Sequence, residues 1–241
     1  MKLKITAIIS MIFMIVMNTV AIISPRNGMS TAELSNNLNT FITPAGFTFA
    51  IWSVIYIWLI TVTLRYAIGK ITMPKEAVRI YIATCILNGL WIVAWHYGNL
   101  HLSVLIILAI MIWLIVIDRD IRDNVPKRVR NIFLLYFGWI QIATLLMTLI
   151  YVQYQLHLNL LVSPQVWIYI CAGILAVAWV LNLLVIYKEK NIVTSLVGMR
   201  AMRGIINHQF DPAIVNTARS VLIILWIWSV AGIVRPYIWS K

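Results

Sequence analysis

The chain has 241 residues, of which 62% are hydrophobic and 11% charged, and its formal net charge is +12. Its mean hydropathy is +0.92. Soluble domains average about 45–50% apolar and about 25% charged, so the composition excludes a soluble globular protein and indicates an all-α, polytopic membrane protein. The 19 Lys and Arg against 7 Asp and Glu are what short cytoplasmic loops carry under the positive-inside rule. Basic stretches interleaved with aromatics are absent, so no nucleic-acid partner is expected.

Lys2 and Lys4 precede an uncharged run from Ile5 to Ser24. About 20 residues suffice to cross about 30 Å of hydrocarbon. The run has the basic start and apolar middle of a signal peptide. It ends Ile22-Ile23-Ser24-Pro25 without a small-x-small cleavage site, so it reads as an uncleaved first helix starting in the cytoplasm. Residues 25–43 form a polar loop with only Arg26 and Glu33 charged, which suits an external loop. A second helix is expected over about 44–64, with Pro44 and Gly46 at its start. Arg65, Lys70, Lys75 and Arg79 mark the next loop as cytoplasmic. A third helix follows over about 78–97 and a tight turn at Tyr97-Gly98-Asn99. A fourth helix covers about 101–117. Residues 118–130 hold five Lys/Arg and three Asp and return the chain to the cytoplasm. A fifth helix spans about 131–151.

Beyond residue 151 lies a C-terminal helical extension, residues 152–241. Its loop 152–165 lacks Lys, Arg and acids, so it sits outside. Apolar runs follow at about 164–187, then Lys188 and Lys190, and at about 218–234, ending at Arg235. Between them, residues 191–206 are apolar enough to span but contain Arg200 and Arg203. Each charge near mid-bilayer costs about 2.5–3.5 kcal/mol on insertion scales, although long side chains snorkel. As a span this segment gives eight helices with both termini inside; as an interfacial helix it gives seven spans and an external C-terminus.

The 11 Trp need a cause. Trp58, Trp113, Trp167 and Trp239 fall near span ends, where interfacial belts collect Trp. Trp52, Trp91, Trp95 and Trp139 fall deeper. At helical spacing, Phe49, Trp52 and Tyr56 share one face of the second helix, Asn88, Trp91 and Trp95 one face of the third, and Tyr136, Trp139 and Ala143 one face of the fifth. Either these faces are packing or they line one cavity, with Gly138 and Ala143 leaving room. Asn18, Asn88, Gln141 and Asn182 are intramembrane amides, each suited to an interhelical hydrogen bond. Cys85 and Cys171 lie in apolar runs as small buried hydrophobes. His96, His101, His157 and His208 show no metal-ligand spacing, although His96 beside Trp95 suits a haem or a tetrapyrrole carboxylate as well as plain hydration. No phosphate loop, nucleophile elbow or intramembrane carboxylate is present, so no enzymatic activity is expected.

Three pieces resemble the tryptophan-rich sensory protein (TspO/MBR, translocator protein) family. They are Thr43-Pro-Ala-Gly-Phe47 with Ile51-Trp52, Leu87-Asn-Gly-Leu-Trp91 with Trp95, and Tyr136-Phe-Gly-Trp139 with Ala143-Thr144. The resemblance covers about residues 5–151 and implies a five-helix bundle over residues 1–151. It implies a pocket for porphyrins, haem-like tetrapyrroles or other flat apolar ligands, in a ligand-binding or sensory protein of the cell membrane that dimerises. Carried over, Pro44, Phe47, Trp52, Asn88, Trp91, Trp95, Trp139 and Ala143 would line that pocket. The chain departs from the family in two places. Residues 33–43 lack Trp, and Ala45 stands where members often have a second Pro. The long variants of the family carry three extra helices, which favours eight. A transporter or export component is the alternative reading, with Arg200 and Arg203 as anion contacts. With eight spans and a cytoplasmic N-terminus, a C-terminal tag should be protected from protease in right-side-out vesicles; cleavage from outside would require seven.

Overall fold

The computed structural model describes residues 1–23, 28–189 and 192–238. Arg26, Lys190 and Trp239, and the side chains of Asn182, Lys188 and Arg235, lie outside the described residues. Nine α-helices are present among them: α1 Lys2–Ile23, α2 Thr31–Asn37, α3 Ile51–Ala67, α4 Lys75–His96, α5 Leu100–Ile121, α6 Lys127–Tyr154, α7 Pro164–Glu189, α8 Val193–His208 and α9 Pro212–Ile238. Six of these (α3 counted with the turn before it) are long and apolar enough to cross a membrane, and α7 is apolar over Pro164–Val180. The protein is therefore an all-α membrane protein.

Helices α1, α3, α6, α5 and α4 pack in that order around a closed ring, α4 returning to α1. Each of these helices runs a few residues past its apolar stretch, because Lys, Arg and amide side chains at the ends tolerate helical backbone in the interface. At the basic end Asp118 ties α5 to α6. Arg130 donates to both its oxygens at 2.7 and 2.9 Å, and Arg122 adds a bond of 3.2 Å. At the opposite end His101 Nδ1 meets Tyr151 Oη at 3.2 Å. Gly98, at φ +70°, makes the α4–α5 turn; the left-handed conformation there favours a residue without Cβ.

The loop expected over 25–43 is not wholly irregular. Ser30 Oγ accepts from the Glu33 amide, and Glu33 returns a bond to the Ser30 amide at 2.7 Å, so α2 opens with a capping box. The Ser30 amide, and secondarily the Ser30 hydroxyl beside the carboxylate, hold the Glu33 carboxyl pKa below its ordinary value. The motif Ser30-x-x-Glu33 is the sequence signature of such a start. The second expected helix also begins differently. Residues Gly46–Ala50 form a tight 3₁₀ turn, and regular α-helix begins only at Ile51.

Helix α8 is packed into the assembly, with α6 on one side and α9 on the other. Its 16 residues rise about 24 Å, shorter than a typical span. Its inward face is made of small and apolar residues, including Val197, Gly198, Ala201, Gly204 and Ile205. Gly138 of α6 is not part of a cavity: a Cβ there would meet the Thr194 backbone and the Val197 side chain. Trp179 of α7 sits against Gly198. Trp167 is buried and donates to Gln153 at 3.3 Å, so it joins α7 to α6 rather than an interfacial belt. Most buried apolar residues of the ring and of α7–α9 form one continuous core, with Ala7, Val78 and Ile82 forming a separate small cluster between α1 and α4.

The end of α8 grips the segment that leads into α3. The Ala45 amide donates to the Gly204 carbonyl at 3.0 Å. Gln209 Nε2 donates to the Thr40 and Thr43 carbonyls at 3.1 and 2.8 Å. Arg200 donates to the Phe47 carbonyl at 2.7 Å and lies over the Phe47 ring. A Cβ on Gly204 would collide with Thr48 Oγ1 and Pro44. Overpacking of this kind costs about 1–3 kcal/mol. Gly204→Leu should therefore unfold in detergent at a temperature several degrees below the wild type. An unchanged midpoint would show that α8 does not seat on this segment.

Candidate functional site

Trp52 occupies the middle of an aromatic cluster between α3, α4 and α6. Its ring stacks on Tyr56 at 5.4 Å between centroids and tilts against Trp91 at 6.2 Å. It meets Tyr136 and Trp139 edge-on at 6.0 and 6.1 Å. Phe49 adds an edge contact to Trp139 at 5.8 Å, and Trp91 and Trp95 lie parallel at 6.5 Å. Aromatic pairs in these geometries contribute about 0.5–1.5 kcal/mol each beyond their buried area. The i, i+3, i+4 spacing on three helices brings these rings together.

The rings enclose a small apolar cavity lined by Pro44, Phe49, Trp52, Trp91, Trp95, Trp139 and Ala143, with Ile142, Leu146, Met147 and Ile150 of α6. Thr31 and Ser35 of α2 close it on the loop side. Its volume is about 20 Å³, enough for one water and far below the roughly 300 Å³ of a typical ligand site. The cavity surface is apolar, but the lining residues Trp91, Trp95, Trp139 and Ser35, and Tyr56 stacked on Trp52, each hold a polar atom buried without a hydrogen-bond partner in the protein. Each such group costs about 1–3 kcal/mol if left unpaired.

Six of the eight residues named from the sequence line this cavity. Phe47 does not. It is 46% exposed and sits beneath Arg200, because the 3₁₀ turn sends Phe49 inward in its place. Asn88 does not line it either. It lies fully buried beside the cluster, accepting from Asn18 Nδ2 at 2.8 Å and donating to Tyr136 Oη at 2.8 Å. Asn18 also donates to the Met14 carbonyl. This chain of bonds joins α1, α4 and α6 and fixes the Tyr136 ring against Trp52. His96 is buried at the end of α4, and its Nε2 lies 3.1 Å from Thr31 Oγ1. It anchors α2 and does not line the cavity. Besides the apolar Ile142, Leu146, Met147 and Ile150 of α6, Thr31 and Ser35 are the polar lining residues the sequence reading missed. The capping box Ser30–Glu33, which includes Thr31 and ends two residues before Ser35, was the available signal.

Among the described residues, no cluster of His, Cys, Asp or Glu has the arrangement of a metal site. Cys85 and Cys171 are both free and buried.

These features define a multi-pass, all-helical membrane protein whose central ring of five helices closes on an aromatic cluster, with three further helices packed against it. The model of the TSPO-like protein family matches residues 4–231, and the chain belongs to that family. The match runs through α8 and most of α9, so the extension lies within the family region and does not follow it. Comparison with curated proteins and with solved structures gives no match.

The Asn88 network makes a sharp expectation. Asn88→Leu leaves Tyr136 Oη without its donor and should destabilise the protein by about 1–2 kcal/mol. Combining it with Asn18→Leu and Tyr136→Phe removes the stranded polar groups and should recover most of that loss. Thermal unfolding of the two variants checks this. A triple variant less stable than the single one would show that the bonds themselves, rather than the stranded groups, dominate.

Proposed function

We propose that the protein is an intramembrane ligand-binding or sensory protein, and that the aromatic cavity receives a flat apolar ligand carrying hydrogen-bond acceptors. The observation that carries this is one apolar cavity lined by Trp52, Trp91, Trp95 and Trp139, three of which keep a buried indole N–H without a partner in the protein. A planar conjugated ligand such as a tetrapyrrole stacks on indole faces, and its carbonyl or carboxylate oxygens accept from indole N–H groups. Pro44, Trp52 and Ala143 complete the contact surface, with Asn88 setting the position of Tyr136 behind it.

The cavity volume adds a requirement. A tetrapyrrole enters only if rings that now pack on one another separate. Trp52 is the ring whose displacement opens most space, since it touches four others. Binding then replaces ring–ring contacts with ring–ligand contacts and satisfies donors that were unpaired. The lid formed by Thr31 and Ser35 is small and polar, where relatives carry a loop Trp, so the ligand's polar edge is placed on the α2 side.

The transport alternative rested on Arg200 and Arg203 as anion contacts. Arg200 is committed to the Phe47 and Thr48 carbonyls, which favours the binding reading. We read the protein as a cell-membrane protein with its basic end, and its N-terminus, in the cytoplasm.

Titration of protoporphyrin IX into purified protein should quench tryptophan fluorescence saturably. Trp52→Ala with Trp139→Ala should weaken the affinity by at least tenfold. Non-saturable quenching, or an affinity unchanged in the double variant, would remove the proposal.

A further inference from the structure

A second surface, well away from the aromatic cavity, has the form of a lipid site. Toward the basic end, α3 and α6 part below the Trp52–Tyr136 contact and leave a groove of about 740 Å³. Its lining comes from the last two turns of α3, from Ile71 of the following loop, and from the first two turns of α6.

The lining changes character along its length. Trp58, Val62 and Ile132 supply an apolar end; Arg65, Lys127 and Arg128 supply a cationic end. Trp58 and Arg65 are seven residues apart on one helix, which separates the two ends by about 10 Å along the axis. No acidic residue lines the groove. Several other cations at this end have partners: Arg79 pairs with Glu76, Arg122 and Arg130 pair with Asp118, and Lys4 lies over the Tyr66 ring. Among the described residues no such partner is found for Arg65, Lys127 or Arg128, which are exposed and, unlike the exposed Lys70, Lys75 and Arg119, converge on the groove.

We propose that this groove binds an anionic glycerophospholipid, its phosphate on Arg65, Lys127 and Arg128 and an acyl chain along Trp58, Val62 and Ile132. Basic pockets between membrane helices recognise acidic headgroups by charge. The apolar half of the groove selects among anions. Free phosphate has no use for it, and an acidic peptide would have to bury polar backbone against Trp58. A lipid carries both halves at the required separation. The site also joins two helices of the ring where their own packing is thin, so an occupied groove would brace α3 against α6.

The experiment is native mass spectrometry of the full chain in uncharged detergent, with phosphatidylglycerol or phosphatidylcholine added at equal concentration. Phosphatidylglycerol adducts should exceed phosphatidylcholine adducts by at least fivefold. The variant R65Q/K127Q/R128Q should lose that preference. The variant K70Q/K75Q/R119Q, which removes three exposed cations outside the groove, should keep it. All six side chains are exposed, and folding is checked by the unchanged thermal midpoint of each variant in detergent alone. Equal retention of the two lipids, or a preference that survives the groove variant, would overturn the proposal. So would a loss in the control variant as large as in the groove variant, which would mean that net charge alone attracts the lipid. Displacement of phosphatidylglycerol by millimolar inorganic phosphate would also overturn it, by showing a phosphate site that does not use the acyl chain.

Discussion

Backbone polar groups inside a membrane protein must find partners within the protein, because hydrocarbon offers none. Helices meet this condition internally. The Thr40–Ala50 segment does not, since it is a loop and a 3₁₀ turn placed against the core, with Thr40, Thr43 and Thr48 buried. Its partners come from α8: the Gly204 carbonyl, the Arg200 guanidinium and the Gln209 amide. This explains why a chain with a five-helix ring keeps three more helices packed on it. Without α8 the wall of the aromatic cavity would present unpaired carbonyls to lipid. The close fit of Gly204 on Pro44 and Thr48 is what brings the α8 donors within reach. Gly198 and Gly138 extend the same close packing along the rest of the helix. Small residues at such contacts are the usual means by which membrane helices approach each other.

The aromatic cluster then rests on a rigid frame. The Asn18–Asn88–Tyr136 chain fixes one wall, and the gripped loop fixes another. Between them Trp52 is only partly buried while in contact with four rings. A side chain with that many contacts and partial exposure is the one the proposed binding reading asks to move. The competing terms are similar in size. Ring–ring contacts of about 0.5–1.5 kcal/mol each hold the cavity shut, and unpaired donors of about 1–3 kcal/mol each favour a guest that satisfies them.

Much of the ring was legible in the sequence because helical periodicity and charge are both strong in membrane spans. The three aromatic faces followed directly from spacing, and their convergence followed from the resemblance. The misreadings have physical causes. Phe47 follows from the resemblance alone, whereas helical spacing names Phe49, and with the 3₁₀ turn at Gly46–Ala50 it is Phe49 that lines the cavity while Phe47 stays exposed. Gly138 was assigned to the cavity from its neighbour Trp139, yet adjacent helix positions point about 100° apart, and Gly138 faces α8. Trp167 was read by depth, whereas depth alone does not distinguish a lipid-facing ring from one turned toward Gln153. Arg200 counts against burial on local reading because its partners are carbonyls more than 150 residues away in the chain, which no local pattern reveals.

Helix α2 shows how a departure in sequence is absorbed by structure. Residues 33–43 contain no Trp, yet the loop side of the cavity is not left uncovered. A capping box starts a short helix there, Thr31 docks it on His96, and Ser35 closes over the rings. An aromatic lid adds stacking surface to a flat ligand; a lid of two hydroxyl residues offers hydrogen bonds and little area. On the binding reading proposed above, such a lid would shift contact with a flat ligand from the loop onto Trp91, Trp95 and Trp139, which line the cavity beneath it.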